Sequence, residues 1–293
     1  MERIEITAPA KINLGLVVER RRPDGYHDIR SIMQTVSLAD RLSLKKIPAG
    51  CRLSVDAPDL PDGPDNLAYR AWEAVRERVG ADIGVEIRLN KVIPAAAGLA
   101  GGSADAAAVI VGLNQLYELG LTTEDMCRVG GTIGSDVPFC VTGGAALTTG
   151  RGEKLEPLPG LPDSTIVLLH PHREVSTAWA YANLRKKLTA PPDKINYLVQ
   201  GMTSGDLNLI AGNLYNSFDE TISHHIPIVN RLKLQLMEIG ALGACLTGSG
   251  PTVFGVFEGG IDSQSETVAS IPGELDTFRA APYPVRFRSN HTE

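Results

Sequence analysis

The sequence is short of several things that would mark particular kinds of protein. Its 293 residues include only four cysteines, Cys51, Cys127, Cys140 and Cys245, none in a Cys-x-x-Cys pair. That spacing argues against a disulfide frame or a cysteine zinc site and fits the reduced thiols of a cytoplasmic protein. There is no basic excess: 28 Lys and Arg against 34 Asp and Glu leave a net charge of -6. Proteins that work by neutralising nucleic-acid phosphates carry the opposite balance, so no nucleic-acid partner is expected. The run Arg20-Arg21-Arg22 reads as a solvated loop face. No stretch approaches the roughly 18 uninterrupted apolar residues of a membrane helix. The first residues, Met-Glu-Arg-Ile-Glu-Ile-Thr, lack an apolar core and do not read as a signal peptide. No repeat or low-complexity tract stands out. The histidines make no metal site: His224 and His225 are adjacent and point apart, and His170 and His172 flank a proline.

What is present is an ordinary globular composition, 43% apolar and 21% charged, of a length suited to one large or two medium domains. Arg3 to Thr7 alternates as a strand does; Ala8-Pro9-Ala10 is expected to break it, with a second apolar stretch from Ile12 to Val18. Ile32 to Leu44, Leu53 to Val55 and Val85 to Leu89 read as strands, and Asn66 to Val79 as a helix ending near Gly80. Pro23-Asp24-Gly25 is a turn signal. Val141 to Gly152 reads as turn-rich and leads into the proline cluster Leu155–Pro162, the best candidate boundary. Domains of 1–160 and 161–293 are therefore expected. Thr165 to Leu169 and Thr252 to Phe257 read as strands, and a helix is expected from Pro227 to Gly240. This mixture implies an α+β fold.

Pro94-Ala-Ala-Ala-Gly-Leu-Ala-Gly-Gly-Ser103 lies between a strand and a helix expected to start close to Ser103. Glycines let the backbone approach a ligand, and unpaired N–H groups at a helix N-terminus favour an anion such as phosphate. The stretch has neither the Lys-Ser/Thr pair of a Walker loop nor the Gly-x-Gly-x-x-Gly of a dinucleotide fold. The bland alternative is a tight packing turn with Ser103 capping the helix. A second glycine stretch, Gly243 to Gly250, has the order helix, loop, strand and reads equally well as a packing turn or as a ligand loop closing over the first. Lys11 and Asn13 stand two apart in an apolar stretch, hence on one strand face. The lysine either snorkels to water or meets an anion. Asp136, in Gly134-Ser-Asp-Val-Pro-Phe139, is either a helix cap or a carboxylate held beside a reacting hydroxyl.

Four segments, Ala8-Pro-Ala-Lys-Ile-Asn-Leu14, the Pro94–Ser103 loop, Gly134-Ser-Asp-Val-Pro-Phe139 and Leu246-Thr-Gly-Ser-Gly-Pro-Thr-Val-Phe254, together resemble the motifs of the GHMP kinase superfamily, over nearly the whole chain. Arg22-Pro-Asp-Gly-Tyr-His-Asp28 resembles the signature of the branch acting on a cytidine diphosphate-linked methylerythritol. The resemblance implies a two-domain fold, an ATP-binding domain followed by a ferredoxin-like C-terminal domain. It implies phosphoryl transfer from ATP, with Mg2+, to a hydroxyl of that small molecule. Lys11 and Asp136 would be the catalytic pair. The ATP-binding set would be Lys91, near the adenine, with Pro94, Ala95, Ala96, Ala97, Gly98, Leu99, Ala100, Gly101, Gly102, Ser103 and Ala104. Asn13, Tyr26, His27, Thr177 and Tyr181 would bind the acceptor, Tyr26 and His27 recognising cytosine, Tyr181 stacking on it and Thr177 lying near the reacting group. The loop departs from some relatives, which have glycine at positions matching Ala95 to Ala97 and Ala100, and serine at Ala104.

Overall fold

A computed structural model describes residues 1–184, 193–260 and 275–283. The chain opens with two long strands, β1 (Arg3–Arg21) and β2 (His27–Ile47), paired antiparallel through most of their length. Then come β3 (Cys51–Val55), α1 (Leu67–Val79), β4 (Gly84–Asn90), α2 (Gly101–Leu116), α3 (Thr123–Ile133), α4 (Val137–Thr142), β5 (Ala145–Thr149) and β6 (Lys154–Leu158). The second half holds β7 (Ser164–His170), α5 (Thr177–Ala182), α6 (Lys194–Ser204), α7 (Leu207–Ala211), β8 (Tyr215–Asn216), α8 (Asp219–His225), α9 (Ile228–Glu238), β9 (Gly243–Leu246), β10 (Val253–Glu258) and β11 (Asp276–Ala280).

Among the described residues, seven strands form the first sheet, in the order β3-β4-β2-β1-β8, with β5 pairing another stretch of β2 and β6 pairing β5. The second sheet is antiparallel, in the order β11-β7-β10-β9. Counted along the chain, those strands stand 4-1-3-2, the order of a ferredoxin-like sheet, as expected. The fold is α+β with two domains. They interlock: β8 pairs parallel with β1, and Pro282 bridges back to Val36.

The expected break at Ala8-Pro9-Ala10 is not a break. β1 runs through it, and its register on β2 shifts between Pro9 and Lys11. A bulge tolerates proline, which has no N–H to give the ladder, and frees the next residue to bond elsewhere. Lys11 N–H accordingly donates to Leu99 O at 3.1 Å, tying the strand to the glycine-rich loop. Burial in β1 alternates up to Ala8 and is continuous from Ala10 to Val18. The second half covers this stretch: Ala10, Ile12, Leu14 and Val17 share one core with Ile166, Leu168, Ile195 and Leu198.

Helix α1 is bounded as expected, Asn66 accepting from Ala68 N and Gly80 taking a left-handed φ of 64°. Helix α2 is apolar on nearly every side and accordingly almost wholly buried, between the first sheet and α1, α3 and α4. Two readings need correction. The turn-rich Val141–Gly152 region contains β5, a five-residue strand hidden in sequence by flanking Gly143, Gly144 and Gly150. The Gly243–Gly250 stretch begins as strand β9, so the second glycine loop is only the β9–β10 connection after Leu246. Strand β6 enters the proline cluster, where Pro157 is tolerated because β6 pairs on one side only.

Candidate active site

The N-terminus of α2 is open. Its cap position is Ala100, with φ 58° and no side-chain hydrogen bond, so Ser103 sits inside the first turn and caps nothing. Left-handed backbone at Ala96 (φ 49°), Gly98 (φ 80°) and Ala100 bends the loop around the helix end. For the two alanines this conformation costs about 1 kcal/mol or more each. The uncapped N–H groups of Gly101, Gly102 and Ser103, with the positive end of the helix dipole, face a cleft of about 1220 Å³.

The second glycine loop packs against the first, backbone on backbone. A Cβ on Gly98 would stand 2.3 Å from Thr247 O, and one on Gly248 would stand 2.6 Å from Gly98 O. No residue but glycine fits at either position. Between the loops lies a buried polar knot. Lys11 Nζ donates to Asn13 Oδ1 at 2.7 Å and to Gly98 O at 3.2 Å. Asn13 Oδ1 also accepts from Gly248 N at 3.0 Å, and Asn13 Nδ2 donates to Ser31 Oγ at 2.8 Å. Asn13 N–H donates to Thr247 Oγ1 at 3.0 Å. Lys11 is 4% exposed, so it does not snorkel. It is held inside, with Asp136 Oδ2 at 3.6 Å across the cleft wall.

Asp136 stands at the head of α4 but makes no capping hydrogen bond, and its side chain is 33% exposed. The carboxylate is therefore free of the helix and open to the cleft. Its position follows from the α3–α4 connection, where Val137 packs closely on Gly130.

Lys91 lines the cleft below α2, with its ammonium committed to two carboxylates. It donates to Asp40 Oδ2 and, at 2.7 Å, to Asp105 Oδ2. Asp40 Oδ1 accepts from the N–H groups of Val92 at 2.6 Å and Ile93 at 2.8 Å, fixing the start of the loop. Burial alone would lower the Lys91 pKa, but Asp105 and Asp40 outweigh it and the pKa rises. Asp105 is pushed up to about 7, first by burial and then by Asp40, against the pull of Lys91. Its Oδ1 has no partner. Asp105 has fewer donors than Asp40.

At the other end of the cleft the rings gather. His27 stacks on Tyr181 with centroids 4.8 Å apart, and Tyr181 and Phe218 form a T-shaped pair, also at 4.8 Å. Burial, then Arg21, lowers the His27 pKa, so the imidazole is neutral at pH 7. Burial pushes the Tyr181 phenol up to about 12. Tyr26 is 55% exposed, with the Arg151 guanidinium over its ring at 5.0 Å. Thr177 Oγ1 lies 3.1 Å from Ser249 Oγ of the second glycine loop.

The expected site residues thus converge on one cleft, with two exceptions. Leu99 turns into the core at 1% exposure and offers only its carbonyl to Lys11. Ala104 is fully buried, and its N–H closes the first helical turn onto Ala100 O. Asn13 reaches the cleft with its amide already engaged by protein groups. The sequence reading missed Arg151 and Thr247; Gly150-Arg-Gly152, an arginine between two glycines, was the signal available for the first. His225 packs on Trp179, His170 Nδ1 lies 3.1 Å from Thr252 Oγ1, and no cluster of metal-ligating side chains occurs among the described residues. No helix among them is long and apolar enough to cross a membrane.

An open helix N-terminus, an inward lysine and a partly exposed carboxylate 3.6 Å from that lysine gather around one cleft on this α+β frame. The GHMP kinases N terminal domain matches residues 66–144, and the GHMP kinases C terminal domain matches residues 198–270. The chain belongs to the GHMP kinases, ATP-dependent small-molecule kinases. Within them it is 42% identical to the 4-diphosphocytidyl-2-C-methyl-D-erythritol kinase of Acetivibrio thermocellus, over 88% of this chain and 91% of that one. A crystal structure of 4-(cytidine 5'-diphospho)-2C-methyl-D-erythritol kinase superposes with a TM-score of 0.80 at 32% identity, covering 95% of this chain and all of the other. Homoserine kinase from Cytophaga hutchinsonii superposes at 0.79, over 99% and 98% of the two chains, but at 21% identity it shares the fold alone. The chain is a member of the 4-diphosphocytidyl-2-C-methyl-D-erythritol kinase family.

Proposed function

We propose that the protein transfers the γ-phosphoryl group of ATP to the 2-hydroxyl of 4-diphosphocytidyl-2-C-methyl-D-erythritol, a step of non-mevalonate isoprenoid precursor synthesis in the cytoplasm. The observation that carries this reading is the two-ended cleft. Lys11, Asp136 and the open N-terminus of α2 stand at one end and the rings of Tyr26, His27 and Tyr181 at the other. Residues 1–160 form the nucleotide-binding domain in this reading and 161–293 the second, with β8 lent to the first sheet.

Phosphoryl transfer asks the protein for alignment and charge stabilisation rather than covalent chemistry. The N–H groups of Gly101, Gly102 and Ser103 take the ATP phosphates. The acceptor oxygen attacks the γ-phosphorus, the bond to the β–γ bridging oxygen breaks, and ADP leaves. Asp136 accepts the hydroxyl proton and passes it to water. Lys11, fixed by Asn13, stabilises the charge on the transferred group. The Ser103 hydroxyl and the Asp136 carboxylate supply oxygen donors of the kind Mg2+ uses when ATP phosphates provide most of its shell. The donor set fits that ion, which would offset phosphate charge when bound.

At the acceptor end, stacking on an aromatic face contributes about 1–3 kcal/mol per base. Tyr181 already carries His27 on one face, so a base stacks on its other face or displaces the imidazole. ADP release measured across the cytidine compound, homoserine, mevalonate and a simple sugar tests the assignment. Turnover of the cytidine compound alone is expected. Turnover of mevalonate or homoserine without it refutes the reading.

A further inference from the structure

The acceptor of the proposed reaction carries a diphosphate between its nucleoside and its reacting alcohol, and this inference rests on that reading. Among the described residues, four basic side chains apart from His27 line the cleft: Lys11, Arg21, Lys91 and Arg151. Lys11 is held at the reaction centre beside Asp136, and Lys91 is neutralised by Asp40 and Asp105. In the run Arg20-Arg21-Arg22, Arg20 pairs with Asp28, and Arg22 pairs with Asp24 and Asp28. Only Arg21 of that run lines the cleft, and no carboxylate among the described residues pairs with it. Arg151 has Glu153 at 3.9 Å, beyond hydrogen-bond distance, and its guanidinium lies over the Tyr26 ring.

The turn that carries Arg151 is fixed along the path the acceptor must follow. Strand β2 runs from His27 at the aromatic end to Met33, which stands opposite Asn13 in register. Gly150 O accepts from Ile29 N at 2.8 Å, and a Cβ on Gly152 would stand 3.5 Å from Ile29 and 3.9 Å from Met33. The β5–β6 turn therefore lies over the stretch between the cytosine-binding rings and the catalytic pair. Glu153 Oε2 accepts from Arg151 N at 2.6 Å and holds the turn closed. The guanidinium carbon stands 5.0 Å from the Tyr26 ring centroid, a cation–π contact that leaves the N–H donors unspent, and a guanidinium fork suits bidentate phosphate recognition.

We propose that Arg151 takes the diphosphate of a nucleoside diphosphate-linked acceptor, joining recognition of the base at Tyr26 to placement of the alcohol at Asp136. It is a specificity residue and takes no part in the transfer of the phosphoryl group.

The test uses the full chain and its variants Arg151→Ala and Arg151→Lys. Steady-state constants for the cytidine-linked acceptor and for ATP are measured. Binding of CDP and of cytidine is titrated with the ATP end filled by a non-hydrolysable analogue. Losing a charged hydrogen-bonding partner predicts a roughly 10- to 100-fold rise in acceptor KM for Arg151→Ala, with ATP KM unchanged. The preference of the wild-type protein for CDP over cytidine should shrink by a similar factor, and Arg151→Lys should recover part of both. An Arg151→Ala protein that keeps the wild-type acceptor KM and CDP preference overturns the proposal. So does one in which ATP KM rises equally, since that marks a general disturbance of the cleft. Failure of the wild-type protein to turn over the cytidine-linked acceptor is a separate result, which refutes the functional reading itself.

Discussion

Replacing Thr247 by valine removes one hydroxyl at little cost in shape, and the structure says what that hydroxyl holds. Thr247 is fully buried in the second glycine loop. Its Oγ1 accepts the Asn13 N–H at 3.0 Å and lies 3.4 Å from both Asn13 Oδ1 and Gly98 O. Valine leaves that N–H buried without a partner, at a cost of about 1–3 kcal/mol. Each kcal/mol lowers the melting temperature by about 2–4 °C in a chain of roughly this size. The functional consequence runs through Asn13, whose Oδ1 anchors the Lys11 ammonium at 2.7 Å. Loosening that anchor should lower kcat about tenfold, equivalent to ~1.4 kcal/mol of transition-state stabilisation. ATP and acceptor KM should change less, because no direct ligand contact is lost. Calorimetric melting and steady-state kinetics of Thr247→Val and Thr247→Ser provide the measurement, and serine should restore most of both properties. A valine variant with wild-type melting temperature and kcat would refute the idea that the second glycine loop positions Lys11.

Three further outcomes are expected. Asp136→Asn should lower kcat by about two to four orders of magnitude while leaving ATP affinity nearly intact, as for loss of a general base; near-normal turnover would remove Asp136 from that role. Ala100→Gly relieves a left-handed alanine at φ 58° and should stabilise the fold by about 1 kcal/mol, read as a higher urea midpoint at constant slope; a lower midpoint would show that the loop is not strained there. Asp105 has its pKa raised in the folded state, from 3.8 to about 7, so its contribution to stability is complete below the unfolded value and is lost as pH rises through about 7. Asp105→Asn should remove that component, so the stability difference between variant and wild type should change between about pH 4 and pH 7 and level off above. A difference independent of pH would show that Asp105 titrates normally.

Much of this site could be read along the chain. Lys11, Asp136, the Pro94–Ser103 loop and the Tyr26-His27 pair sit in short motifs because each depends on a local turn, bulge or helix start. The boundaries of α1 were legible for the same reason, with Asn66 and Gly80 marking its ends. The strand through Pro9 was not, because a bulge is a property of the pairing with β2 rather than of β1 alone. Strand β5 was hidden by its glycine flanks, and β9 was mistaken for loop because Gly243 carries no strand signal. That glycine is dictated by the backbone of Ala211, which a Cβ would approach to 2.3 Å.

Local chemistry in the sequence determined the candidate groups: glycines free to bend around phosphate, a lysine among apolar residues, and a carboxylate beside a helix start. The kind of reaction came from the resemblance of the four motifs, taken together, to the GHMP kinases. The sequence left open whether Lys11 reached water, whether Ser103 capped the helix, and what the second glycine loop did. Only the tertiary structure decided those points, since each depends on segments far apart in sequence: Asn13 meets Thr247, Lys91 meets Asp40 and Asp105, and Gly98 meets Gly248. Close packing sets such contacts, because a backbone-on-backbone approach admits one residue type on each side and fixes the charges between them.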